Sequence, residues 1–596
     1  MGKIVVLPGS RLRRMNAMKT FLAASLFFVA GLAQADITYT VTVQKEPATL
    51  LVQIEVPVKG PQTKFEIPKW DPGSYNYDDH YKNVDNLVAV GPDGTALTVQ
   101  KSGDTTWVVD SKNVKSVRVT YGIKTSINAD RTHYSGTATY LYVVDRKEEK
   151  CKLNLVLPGD WKSATGLQAG KKPHTYEAPT YDVLADNPVS VGKYEEDDYV
   201  VGGVPHQIVY HSGDATKIDR EKVKKSLTNI SESHRQFWGK LPFKKYVWHV
   251  SLLDSADGGW GLEHLSSVQV GMATGYGLGT QGVMSHEYFH AWNVKRIRSK
   301  VLGPFNYQEL PKTGALWWLE GVTDYYAYVV PVRTGEFSVN HWMRVLTGNI
   351  DSVKRNAARL EISPYESSYR VGDASGGRGN SSGFRISYYD LGHVAGMCLD
   401  LELRSRTGGK RSLDDVVKAL FELCKNNKPG FEEDEIRKQL IRFGGPEMGP
   451  IYDQWVMKPG ELPVNEHLAK AGLAIQVVKE PTVETGIGLV PGTGGARVTS
   501  VSEALRDTLA IGDVVVTWND LRFDGPNTGL RRRIRSAMDT AKVGTPISIE
   551  FMRGTETKKV TLTPVAGTRD VRTIIEKPGA TPEQLAVRNG WQKHKA

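Results

Sequence analysis

Two histidines separated by three residues, with a glutamate after the first, constrain this chain more than any other feature: His286-Glu287-Tyr288-Phe289-His290. The flanking run from Val283 to Trp292 reads as a helix. At about 3.6 residues per turn, the two imidazoles then project from one face and can share a divalent cation. Zinc is the natural occupant, since it takes neutral imidazole nitrogens at roughly 2.0–2.1 Å and, in a catalytic site, needs three protein ligands plus an open position for water. Glu287 follows the first ligand directly, which puts a carboxylate where it can take a proton from that water. So short a pattern also arises by chance, and a third ligand has to come from elsewhere.

Downstream lies Trp317-Trp318-Leu319-Glu320-Gly321-Val322-Thr323-Asp324, a second helical segment. Glu320 can supply the third ligand. Asp324, one turn on, can hydrogen-bond the outer nitrogen of a ligand histidine and fix its tautomer. Acids on helices are usually solvated. Here Trp317, Trp318, Leu319, Tyr325 and Tyr326 suggest burial, and buried acids need partners.

Upstream, Asp257 to His264 reads Asp-Gly-Gly-Trp-Gly-Leu-Glu-His. Gly261-Leu262-Glu263-His264 resembles the Gly-x-Met-Glu-Asn motif of gluzincin aminopeptidases, in the form found in the M61 (glycyl aminopeptidase) family. The run from His286 to Arg298, His-Glu-Tyr-Phe-His-Ala-Trp-Asn-Val-Lys-Arg-Ile-Arg, resembles that family's extended zinc motif. The resemblance implies one Zn2+ per chain on His286, His290 and Glu320, with Glu263 binding the α-amino group of a peptide that has a free N-terminus. A buried carboxylate facing an ammonium would confine cleavage to the first residue, because an internal peptide would leave that charge unpaired. Gly261, Leu262 and His264 complete the implied substrate-binding set, His264 standing where the related M1 motif has Asn. Ile386 to Gly392 is similar to the gluzincin Tyr-x-x-Gly segment, whose tyrosine donates to the oxyanion; counting back from Gly392 selects Tyr389, with Tyr388 in reserve. A Gly- and Ser-rich loop, Gly372 to Gly383, precedes it. The family implies a preference for N-terminal Gly or Ala, which no residue here derives. This chain departs from the family pattern at Ser299, where Pro is usual.

The expected fold is multidomain α+β. Residues 1–35 read as a signal peptide: Arg11, Arg13, Arg14 and Lys19, then an apolar run from Phe21 to Leu32, then the cleavage site Ala33-Gln34-Ala35. The expected location is therefore periplasmic or secreted, with no stable membrane insertion after cleavage. Residues 36–204 show short alternating runs broken by Pro, Gly, Asn and Asp, which predicts antiparallel strands and an N-terminal β-sandwich. Within them Pro68 to Tyr75 resembles a signature of the family's N-terminal domain and reads as a rigid aromatic turn. Residues 205–465 fit a thermolysin-like α/β catalytic domain with a helical lobe: a helix over 217–238, a strand over 247–253, and lobe helices over 413–424 and 432–443, the first opened by a Ser412–Asp415 capping box.

Residues 473–565 resemble a PDZ domain. Gly486, Ile487, Gly488 and Leu489 form its carboxylate-binding loop, for a peptide or protein ligand. Residues 566–596 read as an exposed extension.

The net charge of +10 falls to about +5 without the leader, and no basic run is interleaved with aromatics, so nucleic acid is not an expected partner. Three cysteines, Cys151, Cys398 and Cys424, exclude a disulfide framework, though a Cys398–Cys424 bridge is geometrically open. Two alternatives stay open: an endopeptidase whose PDZ domain selects substrates, and a non-catalytic PDZ-type binding protein.

Overall fold

The computed structural model describes residues 36–371, 386–425, 430–525 and 529–593. The leader and the Gly372–Gly383 loop lie outside them.

Strict alternation of buried and part-exposed residues along Ile37–Gln44 and Thr49–Pro57 builds the start of an eight-stranded sheet. A four-stranded sheet packs against it, and Val52, Ile54 and Val119 meet Phe65, Trp107 and Val109 in one core. This is the predicted sandwich with one departure. Ile37–Gln44 pairs in parallel with Cys151–Val156, a partner distant in sequence that no tight turn could deliver.

The boundary expected at residue 204 falls inside a hairpin. Glu195–Val201 and Val204–Ser212, joined by Gly202 and Gly203 with φ of +55° and +79°, belong to one five-stranded sheet. In that sheet Val204–Ser212, Tyr246–Leu253 and Ser267–Ala273 run parallel, and Gly259–Glu263 is the antiparallel edge strand. Against it pack the helix Arg220–Trp238, whose Asp219 cap starts it later than predicted, and the helix Leu278–Phe289.

Trp317–Val322 forms a π-helical turn that continues into the α-helix Thr323–Thr334. The helix Tyr388–Arg406 crosses it with backbones in contact. A Cβ on Gly392 would lie 2.0 Å from the Trp317 carbonyl oxygen, and one on Gly321 would lie 2.5 Å from Gly392 Cα. Glycine is needed at both, which accounts for the Gly of the Tyr-x-x-Gly segment. In the lobe, Leu413–Cys424 has its Ser412–Asp415 capping box, and Glu435–Gly444 begins three residues later than expected.

The C-terminal part corrects two expectations. Leu473–Glu484 and Val565–Glu576 form a long antiparallel ribbon outside the compact unit of residues 487–562, which has its own core. The tail is not an exposed extension. Its helix Pro582–Gln592 buries Trp591 completely in the central core, with Trp591 Nε1 donating to Tyr325 Oη at 2.5 Å and Arg404 Nη1 to the Gly590 carbonyl at 2.6 Å. One large aromatic outweighs the polar composition around it. The Cys398–Cys424 bridge is not formed, and all three thiols are free and buried. Among the described residues no helix is long and apolar enough to cross a membrane.

Candidate active site

The helix Leu278–Phe289 ends as His290 begins, so both histidines sit on its last turn. Their Nε2 atoms are 2.9 Å apart, and Glu320 Oε2 lies 3.2 Å from that of His290 and 3.6 Å from that of His286. The outer nitrogens are engaged. His290 Nδ1 donates to the Asn293 carbonyl at 2.6 Å, and His286 Nδ1 lies 3.4 Å from Asp324 Oδ1. With protons held on the outer nitrogens, both Nε2 lone pairs converge on the Glu320 carboxylate. Three electron-rich atoms converge in a buried place, an arrangement that only a shared cation or proton stabilises. Tetrahedral zinc would separate its donor atoms by roughly 3.4 Å, so the residues fit the metal.

Glu320 lies in the π-helical turn and Asp324 at the start of the helix that follows, and both reach the His286 imidazole. Asn293 fastens the two ligand segments together, its Nδ2 donating to the Trp318 carbonyl at 3.1 Å and to Thr323 Oγ1 at 2.9 Å. Burial opposes charge on His286, yet the bonds to Asp324 and Glu320 push its pKa up to about 10. Burial likewise opposes ionisation of Glu320, but His290 and His286 hold its carboxyl well below the usual range. A divalent cation held by His286, His290 and Glu320 would take the place of that proton.

Glu287 lies over the edge strand Gly259–Glu263. A Cβ on Gly261 would sit 2.0 Å from Glu287 Cδ, so the absence of a side chain at 261 makes room for this carboxylate. Burial, with Glu263 and Glu320 nearby and against the two histidines, pushes the Glu287 pKa up to about 7. Its Oε2 is buried with no hydrogen-bond partner among the described residues. A buried carboxylate oxygen without a partner keeps its full capacity to accept a hydrogen bond or a proton.

Glu263, 3 % exposed, offers an oxygen within 4.8 Å of Glu287 and His290 donor atoms. Behind it stands the turn at Pro72–Ser74. A Cβ on Gly73, whose φ is +102°, would lie 2.9 and 3.0 Å from the two Glu263 oxygens and 2.7 Å from Leu262 Cδ1. The aromatic turn of the N-terminal sandwich therefore packs directly against Glu263 and Leu262, and Gly73 lines one cavity together with Glu263, Asp186 and Lys295. The Tyr389 ring stacks 6.0 Å from that of His286, whereas Tyr388 is buried at 1 % exposure. His264, expected beside the substrate, is turned away: Gln269 Nε2 lies 2.9 Å from its Nε2, and its Nδ1 faces Asp186 Oδ1 at 3.7 Å. It alternates with Glu263 along the strand, which sends the two side chains to opposite faces.

A family model for the peptidase M61 N-terminal domain matches residues 38–193, and one for M61 glycyl aminopeptidase matches residues 280–395. The chain therefore matches the M61 peptidase family in both its N-terminal and its catalytic region. The second match contains His286, Glu287, His290, Glu320 and Tyr389 together. An aminopeptidase N family protein from Idiomarina loihiensis shares the fold, at 21 % identity and a TM-score of 0.77 over 94 % of this chain and 100 % of that one. Weaker likenesses join the M61 chain to an M1 zinc metallopeptidase from Deinococcus radiodurans, at 14 % identity and a TM-score of 0.44 over 72 % of this chain and 94 % of that one. Yeast LTA4 hydrolase matches at 11 % identity and a TM-score of 0.45 over 73 % of this chain and 70 % of that one. No curated protein sequence matches.

Several residues of this M61 site had no signal of their own in the sequence. Asp324 also accepts from His393 Nδ1 at 2.8 Å, and Lys295 Nζ lies 3.9 Å from Glu263 Oε1. His393 could have been sought one residue past Gly392. Asp186 and Gly73 come from the distant N-terminal domain, and only the tertiary fold brings them here.

Proposed function

We propose that this M61 peptidase is a zinc aminopeptidase that releases a small first residue, Gly or Ala, from peptides with a free N-terminus. The observation that carries the reading is the placement of Glu263: a buried carboxylate close to Glu287 and His290, with Gly73 packed against it. Such an acid suits an ammonium at the end of a chain. An internal stretch of peptide would leave that buried carboxylate without its ammonium partner, which argues against an endopeptidase. The preference for Gly and Ala rests on the family description.

Zinc on His286, His290 and Glu320 would supply polarisation of water and of the scissile carbonyl. Glu287 takes the proton from the attacking water and passes it to the leaving amine, a task suited to a carboxyl of pKa about 7. Tyr389 stands beside His286, where its hydroxyl can donate to the developing oxyanion. Glu263 fixes the register by holding the α-ammonium. Asp324 and Asn293 orient the two imidazoles.

Glu263→Ala tests the reading. With zinc bound, kcat/KM for an unblocked Gly or Ala peptide should fall by about 10²-fold or more, because a buried charge partner is lost. The preference over an N-acetylated peptide should vanish with it; a preference that survives defeats the reading.

The unit of residues 487–562 supports a peptide-binding role of the PDZ kind. Ile487–Gly492 is an edge strand that follows Gly486, at φ +79°, and packs beside the helix Leu530–Asp539. Export to the periplasm remains part of the proposal, resting on the leader alone.

A further inference from the structure

Lys295 lies five residues beyond the second imidazole ligand, with its side chain only 8 % exposed. A buried ammonium is unfavourable unless paired. Its Nζ stands between two buried carboxylates, 2.8 Å from Asp186 Oδ1 and 3.9 Å from Glu263 Oε1. Asp186 caps the short helix Tyr181–Ala185 at the end of the N-terminal domain, so the second carboxylate reaches the site from a different domain.

Asp186 is held firmly in its place. Its Oδ2 accepts from the Leu265 backbone N–H at 2.7 Å, and His264 Nδ1 faces its Oδ1. The direction of the network is set by chemistry. Gln269 Oε1 can only accept, so His133 Nε2, at 2.7 Å, donates to it. Gln269 Nε2 can only donate, so His264 Nε2 accepts, and a neutral His264 carries its proton on Nδ1, toward Asp186. Burial opposes ionisation of Asp186, but Lys295 and His264 hold its pKa down to about 2, and it is charged at neutral pH.

The three charges of Asp186, Lys295 and Glu263 sum to one negative. Which carboxylate the lysine satisfies decides where that negative charge is available. We infer that Asp186 is a positioning residue that holds Lys295 on itself and off Glu263, leaving the Glu263 carboxylate free to receive the substrate's ammonium. The inference rests on the aminopeptidase reading above. With residue 186 neutral, the ammonium of Lys295 has Glu263 as its remaining carboxylate. A substrate amine must then compete with a lysine already in place.

The test uses the full-length, zinc-loaded protein and an alanine anilide. Asp186→Asn is nearly isosteric and keeps an acceptor for Leu265 N–H. It should raise KM at least about tenfold while kcat stays within about threefold, the pattern of a lost ground-state contact. Adding Lys295→Met should bring KM back toward the wild-type value, because the competitor is gone. A merely structural Asp186 predicts no such rescue. An unchanged KM in Asp186→Asn, or a KM just as high in the double variant, overturns the inference. Should Asp186→Asn fail to fold, Lys295→Met alone decides: KM at or below wild type supports competition, and a rise in KM refutes it. Glu263→Gln separates the two levels. If that variant keeps the free-amine preference, the aminopeptidase reading itself fails; if it loses the preference while Asp186→Asn changes nothing, only the positioning role of Asp186 fails.

Discussion

Glu287→Gln should leave the metal bound and reduce kcat by at least about 10³-fold, near the upper end of what a general base contributes. The proposed ligands are His286, His290 and Glu320, whose donor atoms lie 2.9–3.6 Å from one another, and Glu287 is not among them. Glutamine keeps the shape and the burial of this side chain. What it removes is the ability to accept a proton, at a group whose pKa of about 7 suits proton exchange near neutrality. Zinc content by elemental analysis and turnover of an unblocked peptide are the two readouts. Wild-type turnover in the variant would remove Glu287 from the chemistry.

Gly261→Ala is the second large effect, and it replaces neither an acid nor a candidate ligand. The added methyl carbon would fall 2.0 Å from Glu287 Cδ and 2.3 Å from Cγ and Oε1, distances no real contact reaches. The obstructing atoms belong to a side chain, so the backbone can stay and the Glu287 carboxylate has to leave. The fold and the zinc should therefore survive while kcat/KM falls by about 10²-fold, the cost of misplacing a reacting group by about 1 Å. Melting temperature, metal content and kinetics together check this. A variant as active as the wild type would show that Glu287 does not need the space over Gly261.

Much of this site could be read from local sequence because helical spacing is a local rule. His286 and His290 share a face by their separation alone, and the tryptophan-rich setting foretold the burial of Glu320, whereas the Asp324 side chain stays 29 % exposed. The π-helical form of that segment carries no comparable signal, since its hydrogen bonds depend on packing against Tyr388–Arg406 through Gly321 and Gly392. Strand alternation located the sandwich, but the parallel pairing of Ile37–Gln44 with Cys151–Val156 is a long-range choice. His264 was misplaced because the motif was read as one unit, whereas alternation turns neighbouring residues of an extended segment to opposite sides. The tail was misjudged for a similar reason: Trp591 sits in a charged, proline-punctuated stretch, and its pocket is formed by Tyr325 and Trp342, distant in sequence. Asp186 and Gly73 show the limit most plainly, for each reaches Glu263 or its neighbour from a different domain.

The central claim is that two imidazoles and the Glu320 carboxylate hold one zinc ion beside Glu287 and Glu263. Anomalous diffraction on either side of the zinc absorption edge, from crystals of the full-length protein loaded with zinc, tests it most directly. The expected result is one strong peak per chain in this site, bonded to His286 Nε2, His290 Nε2 and Glu320, and lost in Glu320→Ala. No peak there, or a peak that persists unchanged without Glu320, would contradict the account.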